Sequence, residues 1–307
     1  MKGRIISINS GLYECLLADE TRVNVRCSGR LRNYRVDKTS DFKVQKNKYA
    51  TKIETTNIKL SPKVGDYVEI EDLLITKIYP RKNSLIRPDV ANIDQVLLVF
   101  AAKEPDFSFY LLDLFLVNIL KQNIEPIIVI SKIDKLTEDE LFNLKSEMTY
   151  YEDLGYRAFY VNSKKDYPTD LVNLLSVKTT IVAGQTGAGK STLINSIIPG
   201  FKLQTNEISK ALGRGKHTTR ISSLYHFKNG FLGDTPGFSK LDLDNITTSN
   251  LKDYFVEFNN YHCKFKDCLH LESSLGCSVL EAVGKEIKKS RYDNYLRMFS
   301  DIKKEKK

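Results

Sequence analysis

The sequence predicts a multidomain chain in three parts. A small N-terminal β-barrel comes first, then an α/β unit on a mostly parallel sheet, then a helical segment built around a metal. Three observations carry this. Short alternating apolar runs recur before residue 80. Strands and helices alternate from about residue 90, with a glycine-rich loop between one such pair. Three cysteines and a histidine cluster near the end. A length of 307 residues suits two or three domains, and the boundaries are expected at 1–79, 80–240 and 241–307.

The barrel is read from Arg4–Ile8, Tyr13–Leu17, Val23–Cys27, Lys52–Ile58, Tyr67–Ile70 and Leu74–Tyr79, punctuated by Gly11, Gly29 and Gly65. Strands this short and this closely spaced close into a small barrel. The basic character of this one suggests an OB-like type. The segment Arg26–Lys48 is cationic, lacks apolar periodicity, and is expected to be a loop suited to a phosphate backbone.

The α/β unit opens with the buried-strand run Ile93–Ala102. A helix follows over Phe107–Gln122, apolar nearly all round. Pro126–Ile130 is a second buried strand. Thr137–Asp153 is a helix whose Thr137 and Glu140 stand at capping-box spacing. Ala158–Val161, Thr179–Ala183 and Phe231–Leu232 supply further strands. Such alternation gives a mainly parallel sheet covered by helices, and open sheets of this kind bind ligands at strand C-terminal ends.

A phosphate loop lies at one of those ends. Gly184-Gln185-Thr186-Gly187-Ala188-Gly189-Lys190-Ser191-Thr192 follows the strand Thr179–Ala183 and precedes the helical run Leu193–Ile198. Glycines let backbone N–H groups curl round an anion, and the helix aims its N-terminus at it. Lys190 is expected to reach the β- and γ-phosphates and Ser191 to ligate Mg²⁺. Asp234-Thr235-Pro236-Gly237 also follows an apolar run. Asp234 suits the Mg²⁺ shell, and the Gly237 N–H can sense the γ-phosphate. Between these segments, Gly213-Arg214-Gly215-Lys216-His217-Thr218-Thr219 reads as a loop ordering over the γ-phosphate. Either Thr218 or Thr219 completes the Mg²⁺ coordination.

A base-reading segment is found upstream. In Ser131-Lys132-Ile133-Asp134 the carboxylate can accept from both the ring N–H and the exocyclic amine of guanine, donors that adenine lacks. Lys132 is expected to lie along the base or brace the phosphate loop. Ser131 stands where Asn is usual. Asn162-Ser163-Lys164 follows the next strand and can offer a backbone N–H to the guanine carbonyl. A conventional GTPase runs from phosphate loop to base reader. Here the order is reversed, and the domain reads as circularly permuted.

The position after Asp234-Thr235-Pro236-Gly237, often a water-orienting Gln in GTPases, holds Phe238. His217 is the local candidate for a replacement, since a neutral imidazole can position water or accept a proton. The other reading of His217 is contact with a partner.

Near the C-terminus, Cys263, Cys268, His270 and Cys277 form a C-x4-C-x-H-x6-C pattern. Three thiolates and an imidazole suit a closed tetrahedral zinc site. Cys15 and Cys27 fall in expected strands and read as ordinary thiols. Five cysteines so placed do not form a disulfide framework.

Charge is unevenly spread. Residues 1–65 carry +8 and residues 285–307 carry +5, out of +9 for the whole chain. Basic ends round a mildly acidic centre point to a polyanion at the flanks and a small ligand in the middle. No apolar run reaches the roughly 18 residues needed to span a bilayer, and Met1-Lys2-Gly3-Arg4 leads straight into strand-like sequence, so no membrane partner and a cytoplasmic location are expected. Nothing suggests a coiled coil, and a monomer is expected.

The chain resembles the ribosome small-subunit-dependent GTPase A family, the bacterial circularly permuted GTPases of 30S maturation. The runs carrying the resemblance are Arg87-Pro88-Asp89-Val90-Ala91-Asn92-Ile93-Asp94-Gln95, Ile208-Ser209 through Gly213-Arg214-Gly215-Lys216-His217-Thr218-Thr219-Arg220, Asp234-Thr235-Pro236-Gly237-Phe238, and Cys263-Lys264-Phe265-Lys266-Asp267-Cys268. It implies an OB domain, a permuted GTPase and a zinc-binding helical domain. It implies GTP hydrolysis to GDP stimulated by the 30S subunit, with contacts near the decoding region of 16S rRNA. It also implies catalysis by His217 and zinc held by Cys263, Cys268, His270 and Cys277. The chain departs from the family at Ser131, and the spacing from His270 to Cys277 is one residue longer than usual. A rival reading is a nucleotide-responsive RNA-binding or chaperone module in which hydrolysis is incidental.

Overall fold

A computed structural model of the chain describes residues 1–29, 31, 61–85, 89–162, 167–197, 223–234, 243 and 246–305. The expected strand Lys52–Ile58 and most of the cationic segment Arg26–Lys48 lie outside these residues.

The N-terminal unit is a closed five-stranded barrel of β1 (Lys2–Asn9), β2 (Leu12–Leu17), β3 (Arg22–Cys27), β4 (Tyr67–Glu71) and β5 (Leu74–Ile78). The β1–β2 hairpin turns on Ser10 and Gly11, both at positive φ, which matches the twist of the flanking strands. Its ring order is β1-β2-β3-β5-β4-β1, with the β3–β5 pair parallel and the others antiparallel. This is an OB-like arrangement. Alternate residues Ile5, Cys15, Val25, Val68, Ile70 and Ile75 fill its interior, which makes Cys15 a core thiol.

The central unit holds β6 (Gln95–Ala101), α1 (Phe109–Leu120), β7 (Glu125–Ser131), α2 (Glu138–Asp153), β8 (Arg157–Tyr160), α3 (Thr169–Leu174), β9 (Thr179–Gly184), α4 (Lys190–Ile197), β10 (Ser223–Phe227) and β11 (Gly230–Asp234). Its sheet runs β10-β11-β9-β6-β7-β8. Every pair from β11 to β8 is parallel. Buried on both faces, β6 after Gln95 and β9 read as unbroken apolar or small-residue runs. The expected capping box of α2 is formed by Thr137 and Glu140.

Two elements escape sequence reading. The strand β10 carries Ser, Tyr and His and makes an antiparallel hairpin with β11. It also meets β1 at Ser7↔Ser223, joining barrel and central sheet into one eleven-stranded sheet. The short α3 has no capping side chain and too few residues to show a period. In the C-terminal segment the basic stretch 285–307 becomes helical only at Lys289.

The C-terminal unit consists of 3₁₀ turns at Leu251–Tyr254 and Val256–Asn260, the short α5 (Ser278–Ala282) and the long α6 (Lys289–Glu305). It packs on α1, and this explains why α1 is apolar nearly all round. Leu112, Phe115, Leu116 and Ile119 face the sheet core, while Val117, Tyr110 and Leu114 face the C-terminal core.

One polar cluster crosses that joint. Arg291 of α6 is fully buried. It pairs with Asp113 of α1 through Nη1, and its Nε donates to Glu257 Oε1 at 2.7 Å. Asn294 Nδ2 and Tyr151 Oη donate to the same Asp113 carboxylate at 2.6 and 2.8 Å. The guanidinium lies over the rings of Phe255 and Tyr151, at 4.8 and 5.2 Å. Burial opposes its charge, but Asp113 and Glu257 more than offset this and hold the Arg291 pKa well above the ordinary value. Arg291→Ala leaves two carboxylates buried without their cation. It is expected to destabilise the chain by about 3–5 kcal/mol, read as a lowered urea midpoint. An unchanged midpoint contradicts this account of the joint.

Candidate nucleotide and metal sites

The parallel register brings the predicted site segments to one end of the sheet. Across the strands, Gly184 of β9 aligns with Val99 of β6, Ala101 with Ser131 of β7, and Ile130 with Tyr160 of β8. On the other side, Asp234 closes β11 opposite Val182. The phosphate loop leaves β9 and the base-reading segment leaves β7, the two neighbours of β6. Two strand spacings, about 10 Å, separate them.

The phosphate loop depends on its first glycine. Gly184 has φ +127°, and a Cβ there would sit 2.0 Å from the Val99 carbonyl oxygen. Only glycine allows β6 and β9 to approach so closely while the chain turns. The turn continues with Gln185 N–H on the Val99 carbonyl at 3.2 Å and Ala188 N–H on the Gln185 carbonyl at 3.2 Å. Thr186 and Gly187 are exposed at the crest, and Ala188 is buried beneath. Lys190 begins α4 and folds back, donating to the carbonyls of Gly184 and Gln185 at 2.9 and 2.8 Å. Those carbonyls occupy its ammonium as phosphate oxygens would. Ser191 is half-buried and Thr192 exposed on the first turn of α4.

Ser131 fastens the base segment to this loop. Its hydroxyl is buried, 2.6 Å from the Ala188 carbonyl and 3.1 Å from that of Phe100. A hydroxyl has one hydrogen, and the nearer oxygen takes it. The short side chain that departs from the usual Asn thus still reaches the phosphate loop. Lys132 follows at φ +57°. Ile133, Asp134 and Lys135 form a 3₁₀ turn with Asp134 exposed. Asn162 lies just beyond β8, where the Val161 carbonyl meets the Ile133 N–H at 3.5 Å.

A segment that sequence reasoning missed joins the two halves. Between β6 and α1, Glu104 accepts from Lys132 at its carbonyl and pairs with Lys135 at its carboxylate. Lys135, then Lys132 and Lys103, hold the Glu104 carboxyl below its usual range. Gln185 Nε2 donates to the Asp106 carbonyl at 3.3 Å, and Pro105 lies beside Gly187. Lys132 therefore braces the loop indirectly, through Glu104. No motif marks these residues; their only signal is position, after a buried strand and before the Ser108 cap of α1.

Ser163, Lys164, His217, Thr218, Thr219, Gly237 and Phe238 lie outside the described residues, as does the side chain of Asp234.

The cysteine and histidine ligands converge at the C-terminal unit. Cys263 Sγ is 3.5 Å from His270 Nδ1 and 3.7 Å from Cys277 Sγ, and His270 Nδ1 is 3.4 Å from Cys277 Sγ. With Cys268, all four ligand atoms lie within 4.8 Å of one another. Tetrahedral zinc requires about 3.8 Å between sulfurs and about 3.5 Å from sulfur to nitrogen, given bonds near 2.3 and 2.0 Å. The cluster fits that geometry with Nδ1 as the histidine donor. The longer spacing to Cys277 is taken up by the loop, where Gly276 turns at φ +64° against Lys264. Burial, then Lys252, pushes the His270 pKa down to about 4, which leaves the imidazole neutral and able to bind metal at pH 7. From α6, Tyr292 and Tyr295 donate to the carbonyls of His270 and Leu269 at 2.7 and 2.6 Å, fixing the loop to the helix.

A phosphate loop and the Ser-Lys-Ile-Asp segment at one end of the sheet, met in reversed chain order, are the arrangement of a circularly permuted P-loop GTPase. The RsgA GTPase family matches residues 78–244. A "Small ribosomal subunit biogenesis GTPase RsgA" of Phytoplasma australiense is 42% identical over all of this chain and 98% of its own length. A relative of the same name, numbered 2, from Oceanobacillus iheyensis is 46% identical over 81% of the chain and 88% of its own length. Among solved structures, YjeQ from Thermotoga maritima superposes with a TM-score of 0.79 at 32% identity, covering 98% of both chains. YloQ, titled a circularly permuted GTPase, gives 0.75 at 33%, covering 99% of this chain and 95% of its own. The chain belongs to the RsgA GTPase family, and it is a P-loop GTP hydrolase.

Ser131→Ala removes the tie between base reader and phosphate loop and leaves the buried Ala188 carbonyl short of a donor. GTP affinity is expected to fall about five- to tenfold, the effect of one such hydrogen bond, in equilibrium titration with a fluorescent GTP analogue. Parent-like affinity contradicts this.

Proposed function

We propose that this GTPase acts in late maturation of the 30S ribosomal subunit, in the cytoplasm and as a monomer. The 30S particle stimulates its hydrolysis of GTP to GDP. The observation that carries this reading is likeness to relatives named for small-subunit biogenesis along the full length of the chain. The +8 of residues 1–65 and the +5 of residues 285–307 support contact with 16S rRNA through the barrel and the C-terminal helix. The domain boundaries are taken at 79/80 and 240/241. Among the described residues no helix is long and apolar enough to cross a membrane.

In this reading Asp134 pairs with the guanine edge, Asn162-Ser163-Lys164 face its carbonyl side, and Lys132 with Ile133 flank the base. The loop Gly184–Thr192 wraps the phosphates. On GTP binding Lys190 exchanges the carbonyls of Gly184 and Gln185 for β- and γ-phosphate oxygens. Ser191, Asp234 and one of Thr218 or Thr219 hold Mg²⁺, which neutralises charge building on the phosphates. Gly237 senses the γ-phosphate. His217 positions the attacking water, since Phe238 cannot. Cys263, Cys268, His270 and Cys277 hold one structural zinc, which fixes the C-terminal unit.

Turnover of GTP with and without purified small subunits tests the activity. Stimulation is expected in the parent, and His217→Ala should lower the stimulated rate about 100-fold with GTP affinity unchanged. Equal stimulated rates remove His217 from the mechanism, and no stimulation of the parent removes the subunit. For the metal, one zinc per chain is expected by elemental analysis, and Cys277→Ser should release it to a chromogenic chelator. A metal-free parent contradicts the site.

A further inference from the structure

The outward face of the barrel carries two side-chain rows that the nucleotide and metal sites do not use. Register across β2, β1, β4 and β5 aligns Leu16, Arg4 and Tyr67 in one row, which the hydrogen bond from Tyr79 N–H to the Tyr67 carbonyl extends to Tyr79. The next row aligns Lys2, Glu69 and Lys77. Successive residues of a strand point to opposite faces, so both rows face away from the barrel core.

The groove beside these rows has a volume of about 470 Å³ and an almost wholly apolar lining. Arg4, Tyr67, Tyr79, Leu17 and Phe231 contribute to it. The Arg4 guanidinium lies 5.0 Å from the Tyr67 ring and 4.4 Å from that of Phe231. It is held there by bonds from Nη2 to Thr179 Oγ1 at 2.9 Å and to the Asn92 carbonyl at 3.2 Å. The Lys2 and Lys77 ammoniums lie 5.5 and 5.2 Å from the Tyr79 ring. Tyr67 is 49% exposed, an unusual state for a large aromatic side chain fixed at an apolar groove.

We propose that this groove binds one or two unpaired nucleotides of single-stranded RNA. One base stacks on the exposed Tyr67 ring, which the buried Arg4 guanidinium backs, a second stacks on Tyr79, and their phosphates meet Lys2 and Lys77. The chemistry is that of single-strand readers: π-faces accept any base, and cations track the backbone. The exposed Lys2 and Lys77 against the single carboxylate of Glu69 favour a polyanion over a neutral or basic peptide. The proposal rests on the rRNA contact proposed above and names the subsite for it. It also makes the groove a joint property of two domains, because Phe231 lies on β11, the strand that ends at Asp234.

The full-length protein is tested against a fluorescein-labelled single-stranded RNA of about ten nucleotides, and against the same strand in a duplex. Tyr67→Ala and Tyr79→Ala should each weaken single-strand affinity about tenfold, the loss of one stacked base. Tyr67→Phe and Tyr79→Phe should retain it, and duplex affinity and unstimulated GTP turnover should not change. Ala variants that bind single strands like the parent overturn the proposal. So do Phe variants as weak as the Ala ones, or equal losses on duplex. As a check independent of those variants, a benzophenone amino acid at exposed Ala18 is photolysed with small subunits. Crosslinks to rRNA support the groove, and crosslinks to ribosomal protein alone overturn it. If subunits stimulate the parent but single strands gain nothing from the tyrosines, this inference alone fails. If subunits do not stimulate the parent, the rRNA reading beneath it fails.

Discussion

The hydrogen bond from Ser131 Oγ to the Ala188 carbonyl is the contact on which the site depends. It is short, buried, and spans 57 residues of sequence. One end belongs to the segment that leaves β7, and the other to the loop that leaves β9. Because β6 lies between these strands, the two segments do not touch through the sheet. They meet only above it, and the serine hydroxyl is where they meet. A base reader and a phosphate loop set independently could each be well formed and still fail to hold one nucleotide. The side chain that departs from the usual asparagine is therefore bonded to the phosphate loop itself. The Glu104 segment adds a second tie, on the exposed side, through Lys132, Lys135, Gly187 and Gln185.

Reversal of chain order has structural consequences. With β11 last in the domain, the chain leaves the nucleotide end of the sheet and passes directly to the C-terminal unit. That unit does not hang from the connection alone. It is docked on α1, which begins immediately after the Glu104 segment. The path from phosphate loop to Pro105, along α1 to Asp113 and into Arg291 is continuous in packed or bonded groups. On the other side, the pairing of Ser7 with Ser223 couples the barrel to the hairpin partner of β11. Both flanking domains are thus fastened to elements bordering the candidate nucleotide site, by different means: a strand pair on one side, a buried ion cluster on the other.

Much of this was legible in the sequence. The buried strands β6, β7 and β9 announce themselves as apolar runs, α2 by its capping box, and the phosphate loop by glycine spacing. The grouping of Cys263, Cys268, His270 and Cys277, which the fold brings together, was read from residue type and clustering alone. The unread parts have physical reasons. The five-residue strand β10 buries only Leu224 and Phe227, too few to show a period, and is placed by its pairing with β11 and β1. The start of α6 at Lys289 follows a turn in which Gly284 stands at φ +82°, and one glycine in a polar stretch is a weak boundary signal in sequence. The Glu104 bridge and the Arg291 cluster join residues far apart in sequence, and single charged side chains carry no periodicity. Sequence did show α1 to be apolar all round, though not that a second domain covers its outer face.

The central claim is that segments in rotated order form one guanine-nucleotide pocket read by Asp134. Exchange of base specificity tests it most directly. An asparagine at this position accepts from the ring N–H but donates where guanine also donates, and it matches the 2-carbonyl of xanthine instead. For Asp134→Asn the account predicts that GTP affinity falls about 100-fold or more, while XTP binds at close to parental GTP affinity and is hydrolysed. Retention of parental GTP affinity with no gain for XTP would contradict it.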